Sequence, residues 1–105
     1  MTHLSTHVLD AVSGKPAVGV GAVLTDANGD VLAFGTTDDD GRVASLADGL
    51  APGVYRLTFD TAAYFADVPT FYPEVTITFE VVDGATKYHV PLLLSPYAYS
   101  TYRGS

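Results

Sequence analysis

From Glu74 to Val82 the chain alternates without a break: Val75, Ile77, Phe79 and Val81 are apolar, and Glu74, Thr76, Thr78 and Glu80 are polar. Successive side chains of an extended strand point to opposite faces, so this pattern belongs to a strand with one face in a core and the other in water. A helix would need its apolar residues three and four apart. The same period recurs in Val54 to Phe59, where Tyr55, Leu57 and Phe59 share a face. Further strands are predicted over Leu4 to Asp10, Val20 to Asp26, Val31 to Thr37, a short stretch starting near Arg42, Tyr88 to Leu94, and Tyr97 to Tyr102.

Turn residues separate these runs. Ser13-Gly14-Lys15-Pro16 reads as a loop, Asn28-Gly29 suits the positive φ angles of a tight hairpin, and Asp38-Asp39-Asp40-Gly41, Pro52-Gly53 and Asp83-Gly84 mark further turns. Pro91 lies inside a strand and cannot donate to a ladder, which predicts an edge position for that strand. Asp60 to Ala66 lacks alternation and reads as one short helix capped by Asp60 or Thr61 and closed off by Pro69 and Pro73. About eight short strands and one helix imply an all-β, two-sheet antiparallel sandwich. With 105 residues and no internal repeat or linker, residues 1–105 make a single domain.

Composition narrows the chemistry. There are no cysteines, which removes thiolate catalysis, redox work and cysteine-ligated zinc. A formal net charge of −7 leaves no basic stripe for nucleic acid and does not favour an anionic membrane surface. No apolar run approaches the roughly 20 residues of a membrane span, and the N-terminus shows no secretion signal. A cytoplasmic protein is the expectation.

Few residues titrate near neutral pH. His3, His7 and His89 are the histidines, and Arg42 and Arg103 are fixed cations. Each has a plain structural reading. His7 sits within an apolar strand, where a neighbouring carbonyl could satisfy it, and His89 lies opposite Tyr88, Val90 and Leu92, pointing outward or into a subunit interface. His3 and His7 share one side of a strand, but two imidazoles without a third ligand are weak grounds for zinc, and no metal is expected. Arg42 follows three aspartates and suits a surface ion pair. The aromatic tail Tyr97, Tyr99, Tyr102 is a strip of the kind that partners cover.

Two segments go further. Leu4-Ser5-Thr6-His7-Val8-Leu9-Asp10 with Gly14-Lys15-Pro16-Ala17, and Tyr88-His89-Val90-Pro91-Leu92-Leu93-Leu94-Ser95-Pro96 continuing to Tyr102-Arg103-Gly104-Ser105, resemble the signatures of the 5-hydroxyisourate hydrolases, the enzymatic relatives of transthyretin. The resemblance spans the whole chain, including Asp40-Gly41-Arg42 and Tyr64-Phe65. Ala98 stands where the family often has glycine, and Asp67-Val68-Pro69 makes a compact loop of its own.

The resemblance implies a transthyretin-like fold and cofactor-free ring opening of 5-hydroxyisourate by water, cleaving N1–C6 to give 2-oxo-4-hydroxy-4-carboxy-5-ureidoimidazoline in urate breakdown. It implies His7, Arg42 and His89 as catalytic residues and Tyr102, Arg103, Gly104 and Ser105 as the substrate-binding tail. It also implies a homotetramer, a dimer of dimers, with sites in the channel where dimers meet. The competing expectations are a transthyretin-type carrier of an aromatic ligand, whose relatives lack both histidines and the Tyr-Arg-Gly-Ser ending, and a structural or adhesion sandwich.

Overall fold

The computed structural model describes residues 2–82 and 87–104. Two sheets face each other across one core. The first has the order β2 (Lys15–Pro16), β1 (His3–Asp10), β8 (Lys87–Leu94), β9 (Tyr99–Thr101), with β5 (Arg42–Asp48) also pairing with β1. The second runs β4 (Val31–Thr36), β3 (Gly21–Asp26), β6 (Gly53–Phe59), β7 (Val75–Val81). Leu4, Val8, Leu24, Leu57, Phe59, Val75, Val81, Leu92 and Leu94 are almost wholly buried between them. The alternation of β7 is realised, with Val75 and Val81 buried, Ile77 and Phe79 half-buried, and Thr76, Thr78 and Glu80 in water.

The helix α1 spans Thr61–Tyr64 and is capped by Asp60, whose carboxylate accepts from the Ala63 amide at 3.2 Å. Tyr64 donates its hydroxyl to Asp10 at 2.8 Å, tying the helix to the end of β1. That carboxylate and its burial push the Tyr64 phenol up to about 12, with burial the larger cause.

Several expectations are corrected. Most pairings are antiparallel, but β1 and β8 run parallel, from His3 beside Lys87 to Asp10 beside Leu94. The chain crosses from the second sheet to the first between β7 and β8, and such a crossover permits a parallel neighbour. Lys15–Pro16, read as loop, pairs briefly with the end of β1. The Asn28-Gly29 hairpin forms, but only Gly29 takes a positive φ, and Asp26 closes a wider turn by accepting from the Asn28 and Asp30 amides. The turn expected at Asp83-Gly84 lies outside the described residues.

Pro91 is not on an edge, because β8 lies between β1 and β9. The proline is accommodated by a break on the β9 side. Regular pairing there stops at Leu92 with Thr101 and resumes only at the single bridge of His89 with Gly104. The register puts Pro91 opposite Tyr102, where a ladder donor is missing. The last strand is accordingly shorter than the expected Tyr97 to Tyr102, and the Thr101 hydroxyl donates to the Pro91 carbonyl at 2.7 Å.

Candidate active site

The outer face of the first sheet carries the chemistry. Along β1 the even positions Leu4, Thr6 and Val8 are buried, so His3, Ser5 and His7 turn outward. On β8, Tyr88, Val90 and Leu92 fill the core and His89 turns outward. Register then sets neighbours. His7 is opposite Arg42 of β5, and Ser5 lies beside His89. Laterally paired residues share a face, so two histidines and an arginine distant in sequence meet on three adjacent strands.

The turn before β5 aims Arg42. The Asp38 carboxylate accepts from the backbone amides of Asp40 at 2.9 Å and Arg42 at 3.0 Å, and these bonds, the Arg42 amide first, hold it below the usual carboxylate range. Gly41 adopts φ +73 and passes so close to β1 that a Cβ would sit 2.5 Å from the Val8 carbonyl. Only glycine fits both demands.

A cleft of about 380 Å³ opens on this face, lined by Arg42, His89, Ser5, Thr6, His3, Ala44, Lys87 and Tyr88. His7 lies one alternation beyond Ser5 and is outside this lining. The Ser5 hydroxyl is 2.8 Å from Nδ1 of His89. Burial, then the positive charge of Arg42, then His7 push the His89 imidazole below its ordinary value, and hydrogen bonding to Ser5 opposes them. His89 is therefore neutral at neutral pH. His3 behaves in the opposite sense. Its Nδ1 donates to Asp48 and its Nε2 to the Ala44 carbonyl, each at 2.8 Å, and these bonds, Asp48 first, raise it. Both His3 nitrogens are thus engaged with β5 rather than turned towards His7.

Among the described residues the His7 ring, Nε2 of His89 and the Arg42 guanidinium make no protein hydrogen bond or ion pair. His7 thus has no carbonyl partner among the described residues, and Arg42 meets the aspartates through the charge it presents to Asp38 rather than through an ion pair. No buried side-chain polar atom among the described residues lacks a partner. Unpaired polar groups are thus gathered where a ligand and water have access.

The tail divides. Gly104 bridges His89, its amide donating to the His89 carbonyl at 2.8 Å, and a Cβ there would lie 2.4 Å from the ring Cδ2. Its φ is not positive, so this position requires glycine for close approach rather than for backbone freedom. Arg103 alternates to the opposite side, with its guanidinium 4.6 Å from the centre of the Tyr88 ring. With Tyr102 it lines a second cleft of about 280 Å³ against Ile77, Phe79 and Val90. The structure thus brings His7, Arg42, His89 and Gly104 together and sets Tyr102 and Arg103 elsewhere. Ser105 lies outside the described residues.

Sequence reasoning passed over Ser5 and Lys87. The signal was available, because each sits two residues before a site histidine on the same strand face.

A small two-sheet sandwich with an imidazole and arginine cleft on the outer face of one sheet defines a transthyretin-type domain with hydrolytic equipment. The chain belongs to the HIUase/Transthyretin family, whose profile matches residues 4–104. It is 48% identical over 109 residues to the 5-hydroxyisourate hydrolase of Salmonella typhimurium, covering 97% of this chain and 80% of that one. The structure of Klebsiella pneumoniae 5-hydroxyisourate hydrolase superposes with a TM-score of 0.91 at 38% identity, covering 100% of this chain and 94% of the other. Sea bream transthyretin in complex with thyroxine superposes almost as well, with a TM-score of 0.89 at 34% identity, covering 96% and 93%. Backbone shape alone therefore does not separate enzyme from carrier.

Proposed function

We infer that this chain is a hydrolase that opens 5-hydroxyisourate with water, as the names of its enzymatic relatives indicate. The observation that carries the reading is a cluster on adjacent strands: His89, whose surroundings favour its neutral form and leave Nε2 free among the described residues, with Arg42 in the same cleft and His7 beside it. A thyroxine-type carrier needs no such set.

Hydrolysis of a cyclic acyl C–N bond adds water to the carbonyl carbon, breaks the bond to nitrogen and returns a proton to that nitrogen. The base must be unprotonated at working pH. His89 meets that condition through burial and its cationic neighbours, so it takes the proton from water at Nε2. Arg42, with its guanidinium free, holds the developing oxyanion. His7, directly across from Arg42, is placed to deliver the proton to the leaving nitrogen. These roles need no cofactor, since the oxidised purine ring is already activated.

The assembly we propose is a homotetramer. It is supported by strongly exposed aromatic side chains beside the β9 edge, Phe71, Tyr97 and Tyr102, and by edge strands β7 and β9, which have no partner on one side among the described residues. In that arrangement Tyr102 and Arg103 act at the subunit edge.

Absorbance decay of freshly generated 5-hydroxyisourate tests the function, with the mass in solution measured on the same sample. Decay accelerated in proportion to protein concentration is expected. Decay at the spontaneous rate, with saturable binding of an aromatic ligand, would establish the carrier instead.

A further inference from the structure

We propose that Ser5 is the residue that positions His89, holding its ring so that Nε2 faces the reacting water in both protonation states. The inference rests on the hydrolase reading for its catalytic meaning, but its geometry stands apart from it. The His89 imidazole is held on two sides. Ser5 Oγ lies 2.8 Å from Nδ1, delivered by the parallel register that sets Ser5 beside His89. On another side the Gly104 backbone packs against Cδ2 so closely that no Cβ fits, and its amide is pinned to the His89 carbonyl at 2.8 Å. Among the described residues Nδ1 has a partner and Nε2 has none.

A hydroxyl is suited to this task in a way that a carbonyl or carboxylate is not. It donates or accepts, and it rotates between the two roles without moving its oxygen. Neutral His89 is therefore held in either tautomer. Once Nε2 takes a proton from water, Nδ1 must carry its own proton, and Ser5 Oγ then accepts a charge-assisted bond. A carboxylate in the same place would hold the ring protonated at rest and remove the base.

The charged or titratable groups facing His89 are His7 and His3 from β1, Arg42 from β5, and Lys87 on its own strand. From the tail, Gly104 brings no charge, and Arg103 is turned away over Tyr88. Arg42 and His7 both oppose protonation of His89. Hydrogen bonding to the Ser5 backbone favours it, and the Ser5 hydroxyl lies 2.8 Å from Nδ1.

The test compares Ser5→Thr with Ser5→Val, two β-branched residues of similar shape that differ in the hydroxyl and suit a strand. The readouts are the His89 midpoint and tautomer by ¹⁵N NMR of the imidazole, alongside kcat and KM. Ser5→Thr should retain the wild-type His89 midpoint and a kcat within about twofold. Ser5→Val should lower the midpoint and reduce kcat about 5- to 10-fold with KM little changed, the scale of one lost hydrogen bond. A folded Ser5→Val protein whose His89 titrates as in the wild type would overturn the assignment. Wild-type protein without hydrolysis would sink the hydrolase reading, while the NMR comparison would still decide the Ser5–His89 contact.

Discussion

Two clefts lie on either side of β8, and one turn of the chain's tail separates them. The outer cleft is polar and already assembled within one chain: Arg42, Ser5 and His89 come from three neighbouring strands, and among the described residues the Arg42 guanidinium and Nε2 of His89 make no hydrogen bond or ion pair. The inner cleft, between the β7 and β9 edges, is walled by Ile77, Phe79 and Val90, and its one cation already rests on an aromatic face. Gly104 and Arg103 are adjacent in sequence yet serve different clefts, because successive residues of an extended chain face opposite ways. Two tail residues that look like one motif therefore act on different problems.

The sharpest way to break this comparison is to remove the outer groups. His89→Ala and Arg42→Ala should each lower kcat/KM by about 10²-fold or more while the protein stays folded, and His7→Ala should fall in the same range. Near-wild-type turnover in any of the three would strip that residue of its role. The pH profile adds a sign. Since burial and Arg42 depress His89, its base form persists below the ordinary imidazole value, and the acid limb of kcat/KM should lie under about pH 6.5. A limb above that value would point to a different base.

Next in size is the tail. Gly104→Ala must move either the His89 ring or the tail itself, since the new methyl would meet Cδ2 at 2.4 Å. A loss of about tenfold or more in kcat, with only a modest fall in Tm, is expected, because misplacing a catalytic group by a fraction of an ångström is costly. Arg103→Ala should act differently. It removes a cation–π contact of about 0.5–1 kcal/mol at an exposed position, so thermal stability or oligomer mass should respond more than kcat. If Arg103→Ala matched Arg42→Ala in lost activity, the two clefts would have to be one site in the assembled protein.

The legible part of this molecule was whatever depends on alternation. Phe59 and Leu57 in β6, Val75 and Val81 in β7, and the outward turn of His89 all follow from a period of two. What escaped was lateral. No pattern within Leu4 to Asp10 says that β8 is its parallel neighbour, so the Ser5–His89 contact was invisible although both residues were in view. Pro91 misled for a related reason: a proline does weaken a ladder, but here the partner strand breaks at Tyr102 and β8 stays inside the sheet. The resemblance places Gly104 in the tail without a reason for the glycine, and close packing against an imidazole supplies it. The candidate arginine and histidines come from resemblance to known motifs, and register explains how motifs so far apart in sequence meet on one face.

The smallest expected effect concerns the rim of the outer cleft, where His3 ties the start of β1 to β5. Its Nδ1 and Nε2 lie against two acceptors, Asp48 and the Ala44 carbonyl, so the folded protein favours the His3 cation and raises its pKa above the unfolded value. Linkage then fixes the sign. The contribution is fully present below about pH 6.5, where the unfolded chain also carries the proton, and it is lost as pH rises through the folded value. His89 contributes with the opposite sign: its depressed pKa stabilises the fold above the unfolded value, and that stability is lost on acidification. The two histidines therefore tilt the stability curve in contrary directions, and only a difference measurement separates them. The Tm of wild type minus that of His3→Gln, taken at pH 5.5 and again at pH 8.5, should be larger at the acid end, by a small margin suited to a solvent-screened contact. An equal difference at both pH values would show that His3 is not held as a cation, and the outer cleft would then have one fewer positive charge at its rim.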